Sequence, residues 1–217
     1  MLSKVFEIFQ IPFIIVILLS SFAPKGLAED REALFDKLKT NVYNFRQVES
    51  DIYRSGQLSK EAVPQLRELG IKTVISFDDH QKRIQKEKEF LKDSGIEFIS
   101  IPWSASDYPQ DEAIKKIHAL MEAPENKPVL VHCKHGQERT GVVIATWRIS
   151  HQGWGVEKAY QEMKFCGFRS FQYGHLKNYV YEFAAKSGQP AKIGILERIK
   201  IGTIYRIHQL RKLNPFK

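Results

Sequence analysis

Ten consecutive residues, His132-Cys133-Lys134-His135-Gly136-Gln137-Glu138-Arg139-Thr140-Gly141, hold the groups best suited to chemistry. Cys133 and Arg139 stand at the two ends of a short loop, with Gly136 between them and Thr140 just after. The apolar run Val129-Leu130-Val131 leads in, and a helical pattern from Val142 to Ile149 leads out. A strand, a tight loop and a helix N-terminus together aim backbone N–H groups and the helix dipole at an anion. A cysteine inside that ring is favoured as its thiolate, the nucleophilic form. The pattern predicts a sulfur nucleophile facing a bound anion.

The string resembles the signature loop of the cysteine-dependent protein tyrosine phosphatase superfamily: His-Cys, five residues, Arg, then Ser or Thr. That resemblance implies that Cys133 attacks phosphorus and forms a phosphocysteine. It implies that Arg139 clamps two phosphoryl oxygens and that the Thr140 hydroxyl eases departure of the thiolate in the second step. Arginine suits the clamp because its planar fork binds phosphate oxygens in pairs and keeps its proton. Lys134, His135, Gly136, Gln137 and Glu138 make up the rest of the substrate-binding loop, whose N–H groups face the equatorial oxygens. Ile52-Tyr53-Arg54-Ser55-Gly56-Gln57 and Leu69-Gly70-Ile71-Lys72-Thr73-Val74-Ile75 extend the resemblance. They look like the N-terminal part of atypical dual-specificity phosphatases, in the group shared by plants, fungi and bacteria that includes inositol-phosphate hydrolases. The resemblance runs from Phe45 to Phe168.

A leaving oxygen needs a proton, and a phosphocysteine needs an activated water. One carboxyl group can serve both in turn. Ile101-Pro102-Trp103-Ser104-Ala105-Ser106-Asp107-Tyr108-Pro109 resembles the separate loop that carries this aspartate in related phosphatases, which implies Asp107 as the general acid. Asp78 and Asp79 compete for the role; both also fit as caps of a helix starting near Gln81. Asp111 reads as the acid of its own helix N-terminus. Glu138 could hold Arg139 or a backbone N–H, or orient water; pointing inward, its charge would oppose a phosphate. His132 is expected to bond behind the loop. Lys134 and His135 would add positive charge beside the reacting phosphate. That suits a substrate with further phosphates, such as an inositol polyphosphate or phosphoinositide headgroup. Arg54, Lys82, Arg83 and Arg169 could widen the basic surface. Phosphotyrosine protein is the other substrate class. No metal or cofactor is called for, since the thiolate and Arg139 supply nucleophile and charge.

These groups need a scaffold. Short apolar runs at 72–77, 96–101 and from Val129 read as strands. Glu29 to Lys39, Ser59 to Leu69, Gln81 to Asp93, Asp111 to Met121, Val156 to Cys166 and His175 to Ala185 read as helices, and Gly70 stops the second. Residues 44–48 and 51–54 form two more short strands with a turn at Glu49-Ser50. The alternation predicts a single α/β domain over 29–190. Its central, mostly parallel sheet has four to five strands, with helices on both faces, as in dual-specificity phosphatases. Strand carboxyl ends form the binding edge of such sheets. Cys133, Asp78/Asp79 and Asp107 each follow a strand and could converge there.

Residues 1–28 read as a signal peptide. Lys4 precedes an apolar segment, Ile8 to Leu19, and small residues end at Gly26-Leu27-Ala28. An uncleaved N-terminal anchor is the alternative. Either places the domain outside the cytoplasm, in the periplasm or secreted. The two cysteines, Cys133 and Cys166, are no disulfide framework. Cys166 is expected to be packed on a helix; a redox pair with Cys133 is the sharper alternative. The net charge of +8 is mostly that of 191–217, where seven basic residues face Glu197 alone. Ile195, Leu196, Ile199, Ile207, Leu210 and Leu213 make that segment a basic amphipathic helix with a weak point at Gly202-Thr203. It could pack on the domain, contact anionic lipid or bind a partner. No zinc spacing or nucleic-acid motif accompanies the charge, so nucleic acid is not an expected partner. Oligomeric state is not legible.

Two other classes compete with a phosphatase. One is a phosphate-binding module without turnover, against which the intact Cys133, Arg139 and Thr140 speak. The other is a rhodanese- or arsenate-reductase-like thiol enzyme, which lacks resolving cysteines beside Cys133 here.

Overall fold

Apolar runs in the strands organise the core, their successive side chains landing on opposite faces of one sheet. The computed structural model describes residues 25–213. Of the expected leader, 1–24 lie outside the described residues. The sheet has five strands: β1 (Arg46–Glu49), β2 (Ile52–Ser55), β3 (Thr73–Ser76), β4 (Glu97–Ser100) and β5 (Val129–His132). Their order is β1-β2-β5-β3-β4. Only the β1–β2 hairpin is antiparallel; β2–β5, β5–β3 and β3–β4 are parallel. The expected hairpin turn sits one residue later than predicted, because Glu49 still pairs with Ile52.

Among the described residues, eight helices cover the sheet: α1 (Lys25–Asn41), α2 (Val63–Glu68), α3 (Gln81–Leu91), α4 (Asp111–Glu122), α5 (Arg139–Gln152), α6 (Val156–Phe165), α7 (Gly174–Lys186) and α8 (Ile195–Lys212). Ile52, Ile75, Val129 and Val131 face one core, shared with α4, α5, α6 and α7. Tyr53, Val74 and Leu130 face the other, with side chains of α1, α2 and α3. Alternation along each strand sends neighbours to opposite sides, so one short run serves two cores.

Three local departures from the predicted elements have physical causes. The single helix expected from Ser59 to Leu69 is a 3-10 turn at Lys60–Ala62 followed by α2, with Pro64 in the first turn of α2. Proline has no N–H to continue a ladder from the preceding turn. The helix after the loop starts at Arg139, not Val142, so Arg139 and Thr140 are its first residues. Every residue of α5 from Arg139 to Ile149 is buried, which marks it as the central helix. Finally, α8 runs unbroken through Gly202 and Thr203.

Candidate active site

The loop between β5 and α5 is held in shape from behind. Gly136 has φ +64°, and a Cβ there would lie 2.5 Å from the carbonyl carbon and oxygen of Ser55. Only glycine fits that approach. The Gly136 carbonyl accepts from Arg54 Nη2 at 2.7 Å and from Asn44 Nδ2 at 3.0 Å. Asn44, itself left-handed at φ 59°, also donates to the Cys166 carbonyl at 2.9 Å. Gln57 N–H donates to the Lys134 carbonyl at 3.1 Å. The segment after β2 is therefore the cradle of the loop. Arg54 is fully buried, and burial lowers its guanidinium from the usual range. It is a brace behind the loop and not part of a basic rim, as the sequence had allowed.

Cys133 lies on the floor of this loop, 2% exposed. His132 precedes it at the end of β5, fully buried, with Nε2 3.2 Å from Glu87 Oε1 on α3. Burial pushes His132 down to about 4 and Glu87 up to about 8, so both are neutral at pH 7. Their contact joins two neutral groups and is not an ion pair. Thr140 is also fully buried, and its hydroxyl has no hydrogen-bond partner among the described residues.

Arg139 binds the segments after β3 and β4 through three bonds of Nη1. It donates to the Phe77 carbonyl just after β3 at 2.7 Å, to the Trp103 carbonyl after β4 at 2.9 Å and to Asp79 Oδ1 at 2.9 Å. The segments after β3 and β4 thus meet at the first residue of α5, whereas Asp107, expected to converge with them, is bonded to Lys212 of α8.

The carboxylates separate by environment. Asp78 is buried and takes a two-pronged bond from Arg83, at 2.6 and 2.7 Å, plus the His80 N–H. Burial alone would raise its carboxyl, but the Arg83 and His80 bonds outweigh that and hold it at about 2. A group so firmly ionised has no proton to give at neutral pH. Asp79 is spent on Arg139. Asp107 sits on the loop between β4 and α4, half exposed, its Oδ1 2.5 Å from Lys212 Nζ of α8. Asp111 bonds Tyr179 and Lys186 and belongs to the scaffold.

On the rim, Lys134 is exposed and His135 is partly so. Burial and the Lys134 ammonium push the His135 imidazole below its usual value. At neutral pH His135 thus offers a hydrogen bond and not the charge expected of it. Glu138 is buried and turned onto Arg169, 2.7 Å away, which neutralises it away from Arg139. Gln137 Nε2 donates to the Tyr43 hydroxyl at 3.1 Å. Arg83 and Arg169 are thus committed to carboxylates, while Lys82 remains exposed. Cys166, expected on a helix, caps α6 and is packed; both cysteines are free. Sequence reasoning missed Asn44, Glu87 and Lys212. Nothing local marks them, because each acts across more than forty residues.

A profile of the tyrosine phosphatase family matches residues 40–198. The chain belongs to that family. Among curated relatives, it is 34% identical over 127 residues to the dual specificity protein phosphatase TpbA of Pseudomonas aeruginosa, covering 58% of this chain and 55% of TpbA. It is 30% identical over 129 residues to the inositol diphosphatase DSP5 of Arabidopsis thaliana, covering 57% and 61%. The chain therefore spans little more than half the length of these two curated relatives. Among solved structures, P. aeruginosa TpbA superposes with a TM-score of 0.56 at 27% identity, over 75% of this chain and 91% of that one. A cysteine-to-serine variant of TpbA in complex with phosphotyrosine gives 0.55, over 68% and 91%. The core catalytic domain of the S. cerevisiae phosphatase SIW14 shares the fold, with a TM-score of 0.60 at 23% identity, over 76% and 94%. The tyrosine phosphatase family thus spans the loop, its brace and the strand ends that meet on Arg139.

Proposed function

We propose that this chain hydrolyses phosphate monoesters through a phosphocysteine intermediate. One observation carries the reading: a buried cysteine and the first arginine of a buried helix close a loop whose shape a glycine and two backing donors impose. The Cys133 thiolate attacks phosphorus, the ester P–O bond breaks, and Asp107 gives its proton to the departing oxygen. Asp107 then takes a proton from water, which attacks the phosphocysteine. The P–S bond breaks, and the unpartnered Thr140 hydroxyl donates to the departing sulfur. The Nε and Nη2 donors of Arg139 are the parallel pair for two phosphoryl oxygens, since its bonds to the scaffold use Nη1. Asp107 is chosen over Asp78, which is held ionised, and over Asp79, which is bonded to Arg139, and it acts once released from its half-exposed pair with Lys212.

The substrate class is a phosphotyrosine protein or an inositol phosphate. TpbA bound to phosphotyrosine supports the first, and the name of DSP5 supports the second. Lys134 is the rim charge that would read a second phosphate. We further place the domain outside the cytoplasm, periplasmic or secreted, on the leader-like composition of 1–28. Among the described residues no helix is long and apolar enough to cross a membrane.

The test is phosphate release by the purified protein in chelator, comparing inositol hexakisphosphate with a phosphotyrosine peptide, beside Cys133→Ser. Cys133-dependent release from either supports the reading and selects the substrate. Release that persists in Cys133→Ser, or none from either substrate in the wild type, overturns it.

A further inference from the structure

We propose that α8 docks the molecule on an anionic lipid surface through its outward face. This goes beyond the phosphatase reading and does not depend on it.

The inward face of α8 is already in use. Glu197 pairs with Lys177 of α7 at 2.6 Å. Gln209 Nε2 donates to the Ser106 carbonyl at 2.8 Å, and Lys212 binds Asp107. The Tyr205 ring lies 4.8 Å from that of His175 and 6.4 Å from that of Tyr108. Gly174 at the start of α7 makes room for Ile201, whose Cγ1 would stand 2.8 Å from a Cβ there. These contacts fix the rotation of the helix about its own axis.

That rotation turns an apolar stripe to solvent. At 3.6 residues per turn, Ile195, Leu196, Ile199, Ile207, Leu210 and Leu213 fall within an arc of about 120°. They are 76%, 81%, 62%, 44%, 67% and 77% exposed. Packing on the domain therefore accounts for the other face of the helix and, among the described residues, leaves this one uncovered. Lys200 and Arg211 border the stripe on one side and Arg198 on the other, with Arg206 inside it. Phe171, also 73% exposed, extends it beside Lys200, whose ammonium lies 5.5 Å from its ring.

Charge selects the occupant. Residues 191–217 carry seven basic side chains and one acidic one. A second copy would set two such segments of like charge against each other. An anionic bilayer satisfies both features at once. The stripe enters the headgroup–acyl boundary, and the flanking Lys and Arg stems run along it with their charges among the lipid phosphates. The helix, about 27 Å long at 1.5 Å per residue, would lie flat.

The full chain is tested by co-sedimentation with phosphatidylcholine vesicles and with phosphatidylcholine–phosphatidylglycerol vesicles. Binding is expected only to the anionic vesicles and should weaken about tenfold as salt rises from low to high. The triple variant Leu196→Ser/Ile199→Ser/Leu210→Ser should lose binding about tenfold or more. None of the three residues touches the loop, so hydrolysis of a soluble aryl phosphate should match wild type, and circular dichroism should show the same fold. A second variant, Lys200→Glu/Arg211→Glu, should lose the anionic preference. Equal binding to both vesicle types overturns the proposal. So does wild-type binding by the triple variant, which would place the contact elsewhere, as on the apolar run Ile8 to Leu19. So does self-association, by analytical ultracentrifugation, that the triple variant abolishes.

Discussion

Gly136 is the residue at which the loop tolerates least. Its left-handed φ disfavours any side chain, and its neighbour across the contact is Ser55 backbone, which cannot rotate away. Gly136→Ala is expected to cost about 1–3 kcal/mol in urea unfolding. It should cut kcat by about a hundredfold, because a shift of an ångström misaims the loop donors. Asp107 faces a different demand. Protonation matters most for poor leaving groups, so Asp107→Asn should slow an alkyl phosphate about a hundredfold or more and an aryl phosphate with a good leaving group far less. Equal slowing of both, measured as kcat, would remove Asp107 from the acid role. Arg54 shows how one side chain changes meaning with burial. In an extended reading it is one more cation near a basic loop. Within the sheet it shares a face with Val131, and its guanidinium braces the Gly136 carbonyl.

Helix α3 and strand β5 are joined by Glu87 and His132, and the pair gives stability a pH signature. Glu87 rises from its ordinary 4.5 to about 8 on burial, so the native state holds a proton that the unfolded chain has released. Stability from this group is full below 4.5 and falls as pH climbs to 8. His132 drops from 6.5 to about 4, so its effect has the opposite sign and ends by pH 6.5. Between 6.5 and 8 only Glu87 of the pair titrates. Chemical unfolding should therefore show stability falling across that window, and Glu87→Gln should flatten the slope. A wild-type slope unchanged in Glu87→Gln would refute the assignment.

The whole molecule depends on β5, the central strand between both cores. Leu130 packs into the core under α1, α2 and α3, while Val129 and Val131 pack into the one under α4 to α7. Leu130→Ala should cost about 2–5 kcal/mol, the range for a buried leucine whose surroundings cannot collapse. Differential scanning calorimetry should show one transition at lower temperature, since both cores share the strand. Two separated transitions would mean that the cores unfold independently.

The sequence by itself determined the Cys133–Arg139 loop between a strand and a helix, the alternation of strands and helices, and a mostly parallel sheet of four to five strands. Those are local properties: period-two burial, an apolar run before a loop, and a helix N-terminus after it. The same holds for α8 as an amphipathic element, though not for its continuity through Gly202-Thr203, where packing of Ile201 and Tyr205 on α7 outweighs weak local propensity. Only the tertiary structure decided which charges are buried, paired or free. Arg54, Arg83 and Arg169 read alike in a string, yet one braces a carbonyl and two neutralise carboxylates. Asp78, Asp79 and Asp107 likewise look equivalent until Arg83, Arg139 and Lys212 claim them separately. Electrostatic roles depend on neighbours many residues away and on how much water each group loses, and neither is written in local spacing.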